Sequence, residues 1–160
     1  MNEPKDRNNH EKVVDVLNSL MVINNDRVEG YDTAAKETDD GDLKITFLKF
    51  KSNSEKIQGE LRKEIQFLNG EQSDNTKLSG KLFRIWMDLK AVLAANKRQT
   101  ILKSCEQGES VAIETYKNVL EKELDILSIQ QKTMIQNQLN VIIENAKEIK
   151  LKHQIEEIKS

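Results

Sequence analysis

Residues that shape turns and strands are scarce in this chain. Its 160 residues include a single proline, Pro4, and six glycines, and aromatic side chains make up only 4% of the sequence. Sandwiches and barrels need many turns rich in glycine and proline, and strands rich in aromatic residues. The composition therefore argues against both all-β architectures and favours an all-α protein.

Cysteine and long apolar runs are scarce as well. The single cysteine, Cys105, excludes a disulfide framework and a cysteine-rich zinc site. No apolar run approaches the roughly 18–20 residues that a membrane-spanning helix needs. The first twelve residues are polar where a signal peptide would be apolar. We therefore expect a cytoplasmic protein without a membrane partner.

The chain also lacks an excess of one charge sign. Its 25 basic residues nearly balance its 27 acidic residues, which leaves a net charge of −2. A nucleic-acid-binding surface requires a basic excess, so we expect no nucleic-acid partner. The motifs of P-loop, dinucleotide-binding, zinc-protease and serine-hydrolase sites do not occur. The sequence therefore identifies neither an enzymatic reaction nor an organic cofactor.

Apolar residues recur at spacings of three and four from about residue 11 almost to the end of the chain, which is typical of amphipathic helices. Gly70 lies where a left-handed C-cap is expected. Residues 1–10 are polar and predict a disordered tail, and residues 11–160 are long enough for one domain. The predicted helices cover about Glu11–Lys36, Leu43–Asn69, Ser79–Ala95, Arg98–Glu121 and Asp125–Ile158.

Four of these helices are long, and short loops join the first to the second and the third to the fourth. Such helices bury their apolar faces most simply in an antiparallel bundle. The segment that carries the extra short helix is long enough to cross from one end of the bundle to the other. One long crossover is the topology of ferritin-like four-helix bundles, which is the predicted fold.

Polar residues interrupt the apolar faces near the middle of each long helix. If the helices align end to end, these residues share one level and need partners there. We expect them to form a structural polar layer, in which Glu109 is satisfied by Asn24, by Ser54, by the hydroxyl of Tyr31 or Tyr116, or by water. The predicted layer comprises Asn24, Ser54, Glu109 and Gln138.

The alternative for the same level is a metal site, because ferritin-like di-metal proteins hold their metals at mid-height between carboxylates. The candidate ligands are Glu29, Glu55, Glu109 and Glu144. Carboxylates alone suit hard divalent ions such as Mn²⁺, and Fe²⁺ or Zn²⁺ are further candidates. Neither His10 nor His153 follows a glutamate by three residues, as the di-iron pattern requires, so such a site would be degenerate.

Four segments resemble a family of bacterial ferritin-like four-helix-bundle proteins of unknown function. The segments are Gly30–Ala35, Trp86–Lys90, Cys105–Glu109 and Tyr116–Glu121. The resemblance implies a ferritin-like fold and a cytoplasmic protein loosely associated with stress responses. Glu106 and Glu109 match acidic positions of the third helix of the family. Val22 and Ala146 stand where the family carries an acidic residue and a histidine.

Two functions follow as hypotheses. The first is a non-catalytic helical-bundle protein, with no cofactor, that acts through self-association or through binding of a protein partner. The second is a ferritin-like carboxylate protein that binds or oxidises a divalent metal ion.

Overall fold

The computed structural model describes residues 4–72, 80–95 and 97–159. Within these ranges the chain forms five α-helices and no β-strand, which confirms the predicted all-α class. The helices are α1 (Pro4–Glu37), α2 (Gly41–Phe67), α3 (Gly80–Ala95), α4 (Arg98–Lys122) and α5 (Ile129–Lys159). In the part of the chain that is described, none of the helices combines the length and the apolar character needed to cross a membrane.

Helix α1 begins at Pro4, ahead of the predicted start at Glu11. Proline is favoured in the first turn of a helix, because the N–H that it lacks would have no intrahelical partner there. The apolar periodicity starts only near Val13, so it does not reveal the polar first turns of α1. The division of the chain into a tail over 1–10 and a domain over 11–160 stays a prediction.

Helix α2 ends in a Schellman motif. The backbone N–H of Gly70 donates to the carbonyl of Ile65 at 2.9 Å, and that of Asn69 donates to the carbonyl of Gln66 at 3.0 Å. Asn69 has a φ of 57°, so this residue takes the left-handed conformation that the sequence predicted for Gly70. A Cβ on Gly70 would lie 2.5 Å from Cγ2 of Val14, so the glycine is needed for close approach to α1.

Helix α5 begins at Ile129, later than the predicted start at Asp125. The backbone N–H of Ser128 donates to Oε1 of Gln131 at 2.8 Å, and the backbone N–H of Gln131 donates to Oγ of Ser128 at 3.1 Å. This reciprocal pair is a capping box, which defines the first turn of a helix. The spacing of Ser128 and Gln131 carries that signal in the sequence, whereas apolar periodicity does not.

The long helices pack in pairs. Asp32 of α1 lies 2.9 Å from Lys51 of α2, and Asn18 donates to the carbonyl of Glu71 just beyond α2 at 2.9 Å. The partner number rises as the α1 number falls, so α1 and α2 are antiparallel. In the same way, α4 and α5 are antiparallel, as the contacts of Tyr116 with Gln138 and of Glu106 with His153 indicate. Helix α3 packs on α4 and α1.

A polar level at mid-height divides the apolar core into two clusters. One cluster contains Leu17, Leu61 and Tyr116, and the other contains Phe47 and Leu102. Each long helix contributes to both clusters and leaves a gap between them. The gaps lie at residues 24–30 of α1, 51–56 of α2, 106–110 of α4 and 144–148 of α5.

Candidate functional site

A buried ion pair between α1 and α4 occupies the polar level. Nη2 of Arg27 lies 2.9 Å from Oε1 and 3.2 Å from Oε2 of Glu109, and Nε of Arg27 lies 3.2 Å from Oε1. The exposed fractions of the two side chains are 2% and 1%. Removing two charges from water costs free energy that is recovered only when geometry is good and the remaining polar atoms are hydrogen-bonded. Both conditions are met by Arg27 and Glu109, because their neighbours supply the remaining partners.

These neighbours come from α1 and α2. The Nη1 group of Arg27 donates to Oγ of Ser54, and the hydroxyl of Tyr31 donates to Oε1 of Glu109. The guanidinium carbon of Arg27 also lies 5.4 Å from the centre of the Tyr31 ring, within the range of a cation–π interaction. The carboxylate of Glu109 is therefore held by one charged and one neutral donor.

A chain of hydrogen bonds continues from Ser54 toward α5. Oγ of Ser54 donates to Oδ1 of Asn24 at 3.1 Å, and Nδ2 of Asn24 donates to the hydroxyl of Tyr116 at 2.9 Å. That hydroxyl donates to Oε1 of Gln138 at 2.8 Å, and Nε2 of Gln138 donates to Oε1 of the exposed Glu60 at 3.3 Å. We call the buried part of this network the central layer. It comprises Asn24, Arg27, Tyr31, Ser54, Glu109, Tyr116 and Gln138.

Burial and charge determine the protonation of the central layer. Burial raises the pKa of Tyr31 well above its usual value, and the neighbouring charge of Glu109 raises it further. Burial likewise raises the pKa of Tyr116. For Arg27, burial lowers the pKa, but the charge and hydrogen bonding of Glu109 together with the neighbouring tyrosines outweigh burial, so the pKa is raised. Both tyrosines are therefore neutral hydrogen-bond donors at physiological pH, and Arg27 is charged.

Cys105 lies one turn before Glu109 on α4 and is fully buried. Burial raises the pKa of its thiol, and the charges of Glu109 and Glu106 raise it further. Because the thiolate is the reactive form, a thiol in this setting behaves as a small apolar side chain.

The structure brings together all four residues of the predicted polar layer. Asn24, Ser54, Glu109 and Gln138 are buried and belong to one hydrogen-bonded network. Of the partners considered for Glu109, the hydroxyl of Tyr31 contacts it directly. Asn24, Ser54 and Tyr116 lie elsewhere in the network.

The structure does not bring together the four candidate metal ligands. Glu29, Glu55 and Glu144 are exposed to solvent, and Glu144 pairs with Lys147 at 3.2 Å. Glu109 alone points into the core, where Arg27 contacts both of its oxygens. Over residues 4–72, 80–95 and 97–159, no group of three or more histidine, cysteine, aspartate or glutamate side chains is arranged to hold a metal ion.

Sequence reasoning missed the residue that organises the central layer. Arg27 is 1% exposed, although arginine is rarely buried unless it is paired. A signal was present, because Arg27 follows Asn24 by three residues and precedes Tyr31 by four, which places all three on one helical face. Val28, which the apolar stripe would place inside, is only half-buried.

Most residues of the central layer lie within the segment of the chain that matches a known family. A family model described as a domain of unknown function (DUF2383) matches residues 12–122, which include all of α2, α3 and α4 and α1 from residue 12 onward. This match confirms the expectation of a family of unknown function. A search of curated proteins found no match to this sequence. Arg27, Ser54 and Glu109 lie inside the matched segment, and Gln138 lies outside it.

Proposed function

Because this chain belongs to the DUF2383 family, whose members share a domain of unknown function, we propose that it is a non-catalytic helical-bundle protein that acts by binding protein surfaces. One observation carries the proposal. Arg27 contacts both carboxylate oxygens of Glu109, the one candidate metal ligand that points into the core. The position where a bundle enzyme would place its reactive centre is filled by a structural ion pair.

The proposed architecture is a ferritin-like antiparallel four-helix bundle with one long crossover. Its support is the antiparallel packing of α1 with α2 and of α4 with α5. Helix α3 follows α2 and precedes α4, in the connection that would be the long crossover of such a bundle.

In this architecture the central layer stands at the level where di-metal proteins bind their ions. A cation at Glu109 would have to displace the guanidinium of Arg27, which would leave a buried charge without a partner. Displacement of that kind is strongly unfavourable, so the ion pair supports a structural role for the layer. The neutral tyrosines and the protonated thiol of Cys105 agree with this role.

Surface binding has its own support. Several large apolar side chains are exposed, including Ile45 at 72% and Phe67 at 79%. Apolar side chains that gather on one part of a surface are typical of protein-binding sites. The proposal places this binding in the cytoplasm and, through the resemblance noted above, in a bacterial stress setting.

Association and capture test the proposal together. Light scattering after size-exclusion chromatography measures the mass of the full chain, and a pull-down from a bacterial extract measures capture of other proteins. We expect either an oligomer or a captured protein that competes with the untagged chain. A strict monomer that captures nothing would contradict the proposal.

A metal titration separates the proposal from the alternative. The full chain is titrated with Zn²⁺ and Mn²⁺ while the amide resonances of α1 and α4 are recorded by nuclear magnetic resonance. We expect no saturable change at Arg27 or Glu109. A saturable change that the E109Q variant abolishes would overturn the non-catalytic proposal and favour the carboxylate metal site.

A further inference from the structure

Helices α2 and α5 carry many exposed apolar side chains. Outside α3, every large apolar side chain that the structure describes as exposed lies on one of these two helices, with the exception of Leu124 in the α4–α5 connection. Those on the two helices are Ile45, Leu48, Phe67, Ile129, Val141, Leu151, Ile155 and Ile158. We call the outer surface of these two helices the α2–α5 face.

The two helices of this face lie side by side along most of their length. Polar contacts join them at four successive levels. The contacting pairs are Lys49 with Glu148 at 2.8 Å, Asn53 with Asn145 at 3.2 Å, Glu60 with Gln138 at 3.3 Å and Glu64 with Gln131 at 3.0 Å. Because the partner number falls as the α2 number rises, the helices are antiparallel, and the pairs mark common levels.

The exposed apolar residues collect at both ends of the face. Ile45 lies one turn before Lys49 on α2, and Leu151 and Ile155 lie beyond Glu148 on α5, so these three side chains share one end. Phe67 and Ile129 lie beyond the Glu64–Gln131 pair, at the other end. Each end therefore combines exposed apolar groups from both helices.

The size of the face matches the contact area of a stable protein dimer. A helix of about 27 residues is roughly 40 Å long, and two helices side by side are about 20 Å wide, which gives on the order of 800 Å². Standard interfaces bury about 800 Å² on each partner. A two-fold axis parallel to the helices would lay α2 of one copy over α5 of the other at the same level. Apolar ends would then meet apolar ends.

Charge on the face agrees with the same arrangement. Lys49, Lys56 and Lys63 recur at seven-residue spacing on α2, which keeps them on one side of the helix. Glu144 and Glu148 lie on α5 at the end where Lys49 contacts it. In this arrangement Lys49 and Lys56 of one copy would lie near the levels of Glu148 and Glu144 of the other copy, whereas Lys63 would lie beyond them.

We propose that the α2–α5 face binds a second copy of this chain, with α2 of each copy lying over α5 of the other. This inference rests on the proposed function and names the partner and the surface. The arrangement makes Ile45 of one copy a neighbour of Leu151 and Ile155 in the other.

Charged substitutions at apolar positions of the face test the arrangement. The I45E variant places a carboxylate, and the L151K variant places an ammonium, among the apolar side chains that the arrangement brings together at this end of the face. Sedimentation equilibrium of the full chain should show a dimer whose dissociation constant rises at least tenfold in either single variant. The I45E/L151K double variant should regain most of the lost affinity, because its opposite charges meet across the interface.

The matched control is L124E, which places a carboxylate at an exposed apolar position outside the face. It should leave the dissociation constant within twofold of the value for the unsubstituted chain. Circular dichroism shows whether each variant keeps its helices. A chain that is monomeric at millimolar concentration overturns the inference, and so does a dimer that I45E and L151K weaken no more than L124E does. A monomer that still captures another protein leaves the proposed function standing, whereas a monomer that captures nothing contradicts both.

Discussion

Among the described side chains, two arginines contact carboxylates, and they differ in what surrounds them. Arg27 lies at the centre with an exposed side-chain fraction of 2%, and its carboxylate partner is Glu109. Arg98 lies at one end of the molecule with an exposed fraction of 24%. Its partners are Asp40 at 2.9 Å, Asp42 at 2.8 Å and Glu156 at 2.7 Å. Arg98 has more carboxylate partners, yet Arg27 carries the larger energetic consequence.

The difference follows from desolvation. If either partner of a buried pair is lost, the other charge stays in the core without compensation. If Arg98 is lost, water and salt ions solvate the carboxylates that remain. Hydrogen bonding from Arg98 still lowers the pKa of Asp42, and Asp42 raises the pKa of Arg98, so the cluster fixes the loop before α2 against the ends of α4 and α5. The end cluster thus joins partly exposed charges, whereas the central ion pair lies buried between the two apolar clusters.

The largest effect is expected from R27M. Methionine keeps much of the side-chain volume but leaves Glu109 buried without its cation, so the free energy of unfolding should fall by about 3–5 kcal/mol. Urea denaturation followed by circular dichroism measures the loss. The R27M/E109L double variant should recover a large part of it, because both charges are then absent. A loss below about 1 kcal/mol in R27M would contradict the importance of desolvation at the centre.

A smaller loss is expected from S54A. Removing the hydroxyl leaves Nη1 of Arg27 and Oδ1 of Asn24 without their shared partner, so unfolding should become easier by about 1–3 kcal/mol. The exposed Ser52 on the same helix provides the control, and S52A should change stability by less than about 0.5 kcal/mol. Equal effects of the two substitutions would show that the Ser54 hydroxyl does not hold the layer together.

R98A should have a still smaller effect, up to about 1 kcal/mol at low salt, because its partners are partly exposed. The effect should shrink in 1 M sodium chloride, since ions screen exposed charges, whereas the R27M effect should not. Chemical denaturation with urea at both salt concentrations measures this contrast. A loss for R98A that is independent of salt would erase the distinction between the two arginines.

A pH-dependent effect concerns Asp26, the neighbour of Arg27 in the chain. Burial and the nearby charge of Glu29 raise the pKa of Asp26 to about 7, and its Oδ2 atom has no hydrogen-bond partner. The folded state therefore binds a proton more tightly than the unfolded state. The resulting stabilisation is present below about pH 4 and is lost as the pH rises to about 7.

The midpoint of urea unfolding, recorded between pH 4 and 8, measures this dependence. The D26N variant should lose this part of the pH dependence, and D15N, at an exposed position, should keep it. An identical pH profile in D26N and in the unsubstituted chain would show that Asp26 is not a source of the dependence.

Sequence reasoning reached much of the central layer but not its organising residue. Asn24, Ser54 and Glu109 were accessible because each interrupts an apolar stripe, and a polar residue at such a position needs a partner. Arg27 was missed although it shares a helical face with Asn24 and Tyr31, because a long charged side chain at the edge of a stripe is usually solvated at its tip. The carboxylates of Glu29, Glu55 and Glu144 show the converse error, since proximity to mid-height along a helix says nothing about the side it faces.

The sequence by itself determined the number and type of the helices. Apolar spacing at three and four residues favours helices, the capping box at Ser128 marks where α5 begins, and the polar segments between the stripes separate the helices. Only the tertiary structure decided which charges lie inside. Successive residues are about 100° apart around a helix, so a small rotation exchanges an interior position for an exposed one. That rotation is set by how all the neighbouring helices pack. The packing therefore decided that Arg27 contacts Glu109 in the core and that Glu29, Glu55 and Glu144 face solvent.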